Sequence, residues 1–406
     1  MGWISLIAEP AQSQYGNVMN CALAALLFLS IASYKPPWKK LFFGGQDKLI
    51  WLYLLAISCG VFFSVNLKET LQYFYRFILP IPLLYFFFKN EFTATNRKIL
   101  VQYLCLFSII VALIGYSELI FQENLIYKYL IDNPYYYRYI YLQRRIMSTL
   151  FHPAVLGTYF IACLPLSFFL ITTAKSKSNR IFGLFSACLC VLGTIFTFSR
   201  GSLLGILVLS CVYFWSRNRK LFLIFTASAL IIIVSFCTLS ERNTVVQGQR
   251  FGLKGLTSPR VYAYKMERVY VTKRMLEDHP FFGLGLSQYR PNFNKYYREL
   301  FLKETSEEFM VADNMYLTIL GETGIAGFAG FMFFLCAFLW KGFRSLKLIN
   351  DPQTKDLLIA LIAGIIGLMV NMLTYDLLYW RTPLFIFWIF AGMGVSIFNK
   401  RVVKSE

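Results

Sequence analysis

The residues of this 406-residue chain with the most chemical promise are arginines set where a charge is expensive. The stretch "FTFSRGSLLG" (196–205) puts Arg200 and Gly201 between two apolar runs, and Arg76 interrupts another in "LQYFYRFILP" (71–80). A third group, Arg138, Arg144 and Arg145, is interleaved with tyrosines in "DNPYYYRYIYLQRRIMSTLFHP" (132–153). A guanidinium stays charged and offers paired donors to phosphate oxygens. Beside Arg200, Gly201 lets the chain turn, and a helix beginning near Ser202 would aim the partial positive charge of its N-terminus at the same spot. These are the makings of a cleft for a phosphorylated lipid. The plainer alternative is an interfacial belt of tyrosines and snorkelling arginines. Metal chemistry has no foothold, since neither CxxC nor HxxxH spacing occurs and all nine cysteines fall in apolar stretches.

Such residues need elements to carry them, and the composition says which. The chain is 57% hydrophobic and only 15% charged, which makes a bilayer the expected solvent. About eleven stretches (10–12) are apolar over the length a hydrocarbon core demands. They lie near 18–33, 48–65, 71–88, 98–117, 150–173, 181–198, 202–216, 220–238, 315–340, 357–376 and 382–398. The expected fold is therefore an all-α polytopic membrane protein. Its net charge of +19 is a topology signal rather than a mark of nucleic-acid binding. Six alternate connections, from Lys35–Lys48 to Lys400–Lys404, hold 20 basic residues against five acidic ones. Positive loops stay inside, so this side and the C-terminus are cytoplasmic, and the N-terminus lies outside. Residues 1–17 lack a basic n-region and do not read as a cleaved signal.

Two outer segments are long, 118–149 and 239–314, which divides the chain into membrane helices (1–238), a large extracytoplasmic loop (239–314) and C-terminal helices with a tail (315–406). No internal repeat of the transporter kind is present. Within the large loop, "SPRVYAYKMERVYVTKRMLEDHPFFGLGLSQY" reads as an amphipathic helix from about Arg260 to His279-Pro280. Tyr262, Met266, Val269 and Leu276 share one face and Lys265 and Arg268 another, so the helix should rest on the membrane or the bundle. Gly321, Gly324, Gly327 and Gly330 read as a small-residue strip for helix packing. Asp376 and Arg381 flank the last outer turn as a pair.

Three motifs, in order around the large loop, carry a resemblance: "FTFSRGSLLG", an "R…P-x-x-G-x-G" pattern made by Arg260, Pro280, Gly283 and Gly285, and "DNMYLTILGETGIAG" at 313–327. Together they resemble the O-antigen ligase-related superfamily, which includes O-antigen ligases and Wzy-type polysaccharide polymerases. The resemblance runs from about the third span to the last. It implies a GT-C-like glycosyltransferase that moves a glycan from an undecaprenyl-diphosphate carrier to an acceptor sugar hydroxyl at the outer face of the bacterial inner membrane, with no cofactor. The partners implied are that carrier-linked glycan, an acceptor glycan or glycolipid, membrane lipids and other polysaccharide-assembly proteins.

Transfer from a lipid diphosphate needs a home for the departing charge, a base for the incoming hydroxyl and a cavity admitting both substrates. No Asp-x-Asp pair stands on the outer side to hold a metal ion, so arginines take that place. The resemblance assigns Arg200 and Arg260 to the diphosphate and Asp313 to the base. Place in the sequence adds Arg76, Arg145 and His152 as candidate substrate contacts, and the third motif adds Asn314, Tyr316 and Glu322, with Glu322 orienting an arginine. In the ligases the third motif begins His-Asn, whereas here it begins Asp313-Asn314, a departure that leans toward polymerase. Asp313 is also a natural helix N-cap, and His152 offers the imidazole missing from position 313. Two rival classes are a flippase for lipid-linked oligosaccharides and a non-catalytic assembly partner.

Overall fold

The computed structural model describes residues 47–90, 94–124, 145–150, 152–217, 220, 222, 259–301, 305 and 310–399. Every regular element among them is helical. In chain order these are α1 (Asp47–Phe62), α2 (Leu67–Tyr73), α3 (Pro80–Asn90), α4 (Ala94–Phe121), α5 (Pro153–Thr173), α6 (Lys177–Phe196) and α7 (Arg200–Arg217). There follow α8 (Pro259–Asp278), α9 (Tyr289–Phe301), α10 (Met315–Leu346), α11 (Pro352–Met372) and α12 (Arg381–Asn399). Among the described residues seven helical segments are long and apolar enough to cross a membrane, so the protein is a multi-pass membrane protein. Of the eleven apolar stretches, seven coincide with these segments, those at 48–65 and 202–216 fall on α1 and α7, which are not among the seven, that at 18–33 lies outside the described residues, and only residues 220 and 222 of that at 220–238 are described.

Contacts divide the chain into two units. The first unites residues 1–91, 259–345 and 372–406, the second 92–258 and 346–371. Residues 259–314 of the large loop thus belong with α1, α3, α10 and α12, an association that chain order does not suggest.

In the second unit α5 is the central post, with α4, α6 and α7 packed around it. Its residues are apolar on every face, the pattern of a helix buried all round, and 17 of its 21 are buried. Pro153 begins it behind His152, whose ring Nδ1 accepts the Ala154 N–H at 3.1 Å and so caps the helix. Small residues let neighbours close in: a Cβ on Gly157 would lie 2.3 Å from the Ser202 hydroxyl, and one on Gly193 2.5 Å from the Phe160 ring. At the lysine-rich end Arg217 of α7 pairs with Asp356 of α11. At the other end the Asn371 amide donates to the Thr158 hydroxyl at 2.6 Å.

In the first unit α12 packs along α3, with Trp388 fully buried among Tyr53, Tyr85 and Phe334. Lys89, Asp47 and the Tyr85 hydroxyl form a buried cluster joining α1 to α3. The stretch read as one span at 71–88 is α2 and α3 joined by a π-turn, Phe74–Ile78. Pro80 supplies no N–H, and Leu79 bonds back five residues to the Phe74 carbonyl at 2.9 Å. Arg76 sits in that turn, half-buried.

Candidate active site

The third motif builds the most organised polar site. Asn314, not Asp313, caps α10: its Oδ1 accepts the N–H groups of Tyr316 (3.0 Å) and Leu317 (3.3 Å). That displaces the capping role expected of Asp313 by one residue and frees its side chain. Asp313 stands in the left-handed region at φ +47°, a conformation that aspartate tolerates better than most residues. The cause is Asp376, whose Oδ2 accepts the Asp313 N–H at 3.0 Å while its Oδ1 takes the Asn314 N–H at 3.2 Å and the Thr318 hydroxyl at 2.6 Å. Asp376 therefore serves the N-terminus of α10, where a carboxylate meets the positive end of the helix. The pairing with Arg381 read from the sequence is replaced by these bonds; the Arg381 guanidinium lies instead 5.4 Å from the Phe77 ring. Burial pushes the Asp376 carboxyl up to about 6, and the neighbouring Asp313 pushes the same way against its hydrogen bonds.

α8 supplies the other wall. The Tyr264 hydroxyl donates to Asp313 Oδ2 at 2.7 Å, and Lys265 Nζ donates to the Asp313 carbonyl at 2.9 Å. Arg268 is fully buried beneath them. Its guanidinium lies 3.4 Å from the centre of the Tyr264 ring and 5.3 Å from that of Phe293, an arginine sandwiched between aromatic faces. It also donates to the carbonyls of Val311 (3.4 Å) and Tyr264 (3.3 Å), tying α8 to the approach to α10. The face of α8 packed against the protein is therefore the one that carries Arg268, and the face that carries Tyr262 and Val269 points away from it. Arg268, Val271, Thr272 and Met275 are buried, whereas Tyr262, Val269 and Tyr270 are exposed.

The P-x-x-G-x-G and E-x-G motifs explain one another. α10 breaks at Gly324 (φ +62°, ψ −165°), which frees backbone groups on both sides of the kink. The segment after α8 pairs with them: Leu284 and Gly285 donate to the carbonyls of Gly321 and Glu322 (both 3.0 Å), and Ile325 and Ala326 donate to those of Pro280 (2.9 Å) and Phe281 (3.1 Å). Unpaired groups inside a membrane protein cost several kcal/mol each, so the break and the loop need each other. Only glycine fits the contact. A Cβ on Gly283 would lie 2.4 Å from the Glu322 backbone, and one on Gly324 2.4 Å from the Phe281 carbonyl. Gly324 is thus a hinge in the backbone, and the glycine strip expected along one helix face is interrupted there. Among the described residues the partners of Glu322 are not arginines: its Oε1 accepts the Tyr289 N–H at 3.0 Å and the Tyr379 hydroxyl. It lines a small cavity with Tyr53, Tyr73, Met315 and Trp388.

In the second unit the arginine motif forms its own turn. α6 ends at Phe196, Phe198 takes φ +48°, and Ser199 leads into α7 with its Oγ accepting the Ser202 N–H (3.4 Å) and hydroxyl (2.9 Å). Arg200 is the first residue of α7 and is exposed. Buried Arg145 reaches the same turn, donating from Nε to the Thr197 carbonyl at 2.7 Å. There it meets the negative end of α6, so that donor is committed to structure. His152 is committed likewise as the α5 cap. Glu118, which sequence reading passed over, is buried at the end of α4 and holds this segment through the Met147 N–H (2.8 Å) and the Asn124 amide. A lone carboxylate in "SELIF" was the signal for it.

Arg260 lies in the first turn of α8, with its side chain outside the described residues. Tyr316 is half-buried in the first turn of α10. The first unit thus brings together Asp313, Asn314 and Tyr316 at one helix N-terminus and adds Tyr264, Lys265, Arg268 and Asp376, none of which the motifs had nominated.

The protein so described is a polytopic helical membrane protein whose motifs lie at helix termini and at one broken span. Residues 185–332, from α6 to the middle of α10, match the family model described as O-antigen ligase. With the motifs above, that match supports a resemblance of this part of the chain to the O-antigen ligase-related superfamily. No match to it is found among curated proteins.

Proposed function

We propose that this protein is a metal-independent glycosyltransferase of the bacterial inner membrane, transferring a glycan from an undecaprenyl-diphosphate carrier to an acceptor sugar hydroxyl on the outer face. The observation that carries the reading is the state of Asp313. It lies inside the family match, and its left-handed backbone lifts a half-exposed carboxylate away from the helix cap that Asn314 has taken over. A carboxylate held in this way is suited to accept the proton of an attacking hydroxyl. Arg200, exposed at a helix N-terminus, and Arg260 are assigned to the diphosphate, whose charge grows as the glycosidic bond breaks. The acceptor hydroxyl oxygen forms a bond to the anomeric carbon, the carbon–oxygen bond to the diphosphate breaks, and the proton passes to Asp313.

The outer location rests on the charge bias, which sets the lysine-rich ends of the helices in the cytoplasm and the Asp313 and Arg200 ends outside. A polymerase extending a carrier-linked chain is preferred to a ligase acting on lipid A-core, because the histidine of the ligase motif is aspartate here. The test is complementation of a strain deleted for this gene by Arg200→Ala, Arg260→Ala and Asp313→Ala, followed by electrophoresis of the surface polymer. Loss of the long-chain ladder in all three, with the proteins present in the membrane, is the expected result. An unchanged ladder in all three would leave a non-catalytic assembly role. Single repeats on lipid A-core where the ladder is lost would identify a polymerase, and their absence a ligase.

A further inference from the structure

Resting on the reading of Asp313 as base, we infer that Tyr264 is a positioning residue that decides which oxygen of that base does the work. The two carboxylate oxygens are not equivalent. Oδ2 takes the Tyr264 hydroxyl at 2.7 Å, whereas Oδ1 accepts no hydrogen bond among the described residues. An ionised carboxylate has about four lone-pair positions, and left alone its plane would rotate about the Cβ–Cγ bond. One charge-assisted bond stops that rotation and turns the open oxygen to a fixed direction.

Tyr264 is itself held to suit this task. Its ring rests against the Arg268 guanidinium at 3.4 Å, and Arg268 in turn rests on Phe293. Arg268 also grips the carbonyls of Tyr264 and Val311, so donor and acceptor ride on a common frame. The Asp313 backbone is fixed from two further directions by Asp376 and Lys265. Burial and the adjacent Asp313 carboxylate raise the phenol well above its ordinary value, so the hydroxyl keeps its proton and remains a donor. The phenol neither takes the substrate proton nor touches the diphosphate in this scheme; it acts through Asp313.

The test uses the full-length protein in lipid nanodiscs and, as probe, the carrier-linked glycan extracted from a strain deleted for this gene. Tyr264→Phe keeps the ring on Arg268 and removes only the hydroxyl. Its kcat should fall on the order of tenfold, the scale of one charge-assisted hydrogen bond, with KM for the carrier-linked glycan and the melting temperature unchanged. Tyr264→Ala should lose the same factor in kcat and also melt lower, because Arg268 loses one aromatic face. A wild-type kcat in Tyr264→Phe while Asp313→Asn is inactive would overturn this inference and leave the assignment of the base standing. Full activity in Asp313→Asn would remove both. A Tyr264→Phe defect confined to KM would also count against the inference, since it would mark a substrate contact.

Discussion

Two turns in this protein share one backbone device and use it to opposite electrostatic ends. At Phe198-Ser199-Arg200 and at Asp313-Asn314-Met315, a non-glycine residue in the left-handed region, φ +48° and +47°, is followed by a capping side chain and then by a helix. In the first turn the strained residue is apolar and the charge, Arg200, is the first residue of the helix, exposed and near its positive end. In the second the strained residue is the charge itself, and three elements hold it: α8 through Tyr264, α10 through its own start, and the 3₁₀ turn Leu377–Tyr379 through its preceding Asp376. An anion-binding arginine needs reach and permanent charge. A base needs a fixed direction. The heavier framework around Asp313 is what that difference in task demands.

If both turns serve one reaction, their charged residues should be equally indispensable. Asp313→Ala and Arg200→Ala are each expected to lower transfer by a hundredfold or more, read as loss of the polymer ladder, in keeping with the size of general-base and charge-stabilisation effects. Loss in only one would break the parallel. Arg200→Lys should recover part of the activity, because the charge returns without the paired donors; Asp313→Asn should recover none.

Gly283→Ala attacks the framework of the second turn without touching a charge. With φ +69° and a Cβ placed 2.4 Å from the backbone of Glu322, it should undock the Pro280–Gly285 segment from the break in α10. The expected result is little folded protein on size-exclusion chromatography in detergent. Gly330→Ala meets the Tyr53 backbone only at 3.1 Å and should be tolerated far better.

Asp376 sharpens the contrast through pH. Its folded carboxyl is raised to about 6, mainly by burial, with Asp313, Glu322, Tyr289 and Tyr379 around it and the Thr318 hydroxyl bonded to it. Between its ordinary value near 4 and about 6, the folded protein therefore holds a proton that the unfolded chain releases. This group's contribution to stability falls as pH rises through that window. The melting temperature should drop correspondingly between pH 4 and 7, and Asp376→Asn should flatten that part of the profile.

The smallest expected effects are at the two caps. Ser199→Ala and Asn314→Ala should each destabilise by about 1 kcal/mol, the ordinary worth of an N-cap, read as a modest fall in melting temperature. A much larger loss at Asn314 would mean that the cap, and not Asp376, maintains the left-handed Asp313.

Hydropathy alone determined that the chain crosses a membrane and where most of its described spans lie, because both follow from composition over about twenty neighbouring residues. Local spacing also announced the helix from Pro259 to His279 and the glycine motifs. Only the tertiary structure decided what those motifs do. Tyr264 and Asp376 lie 49 and 63 residues from Asp313 in the chain, and nothing in a local pattern pairs them. Glu322 read as a partner for arginine because a buried carboxylate must be satisfied, but sequence cannot say by whom, and here a backbone amide and a phenol satisfy it. The evenly spaced glycines read as a packing strip for the same reason: spacing records which residues are small, whereas the broken helix at Gly324 exists because a distant segment supplies the hydrogen bonds it gives up.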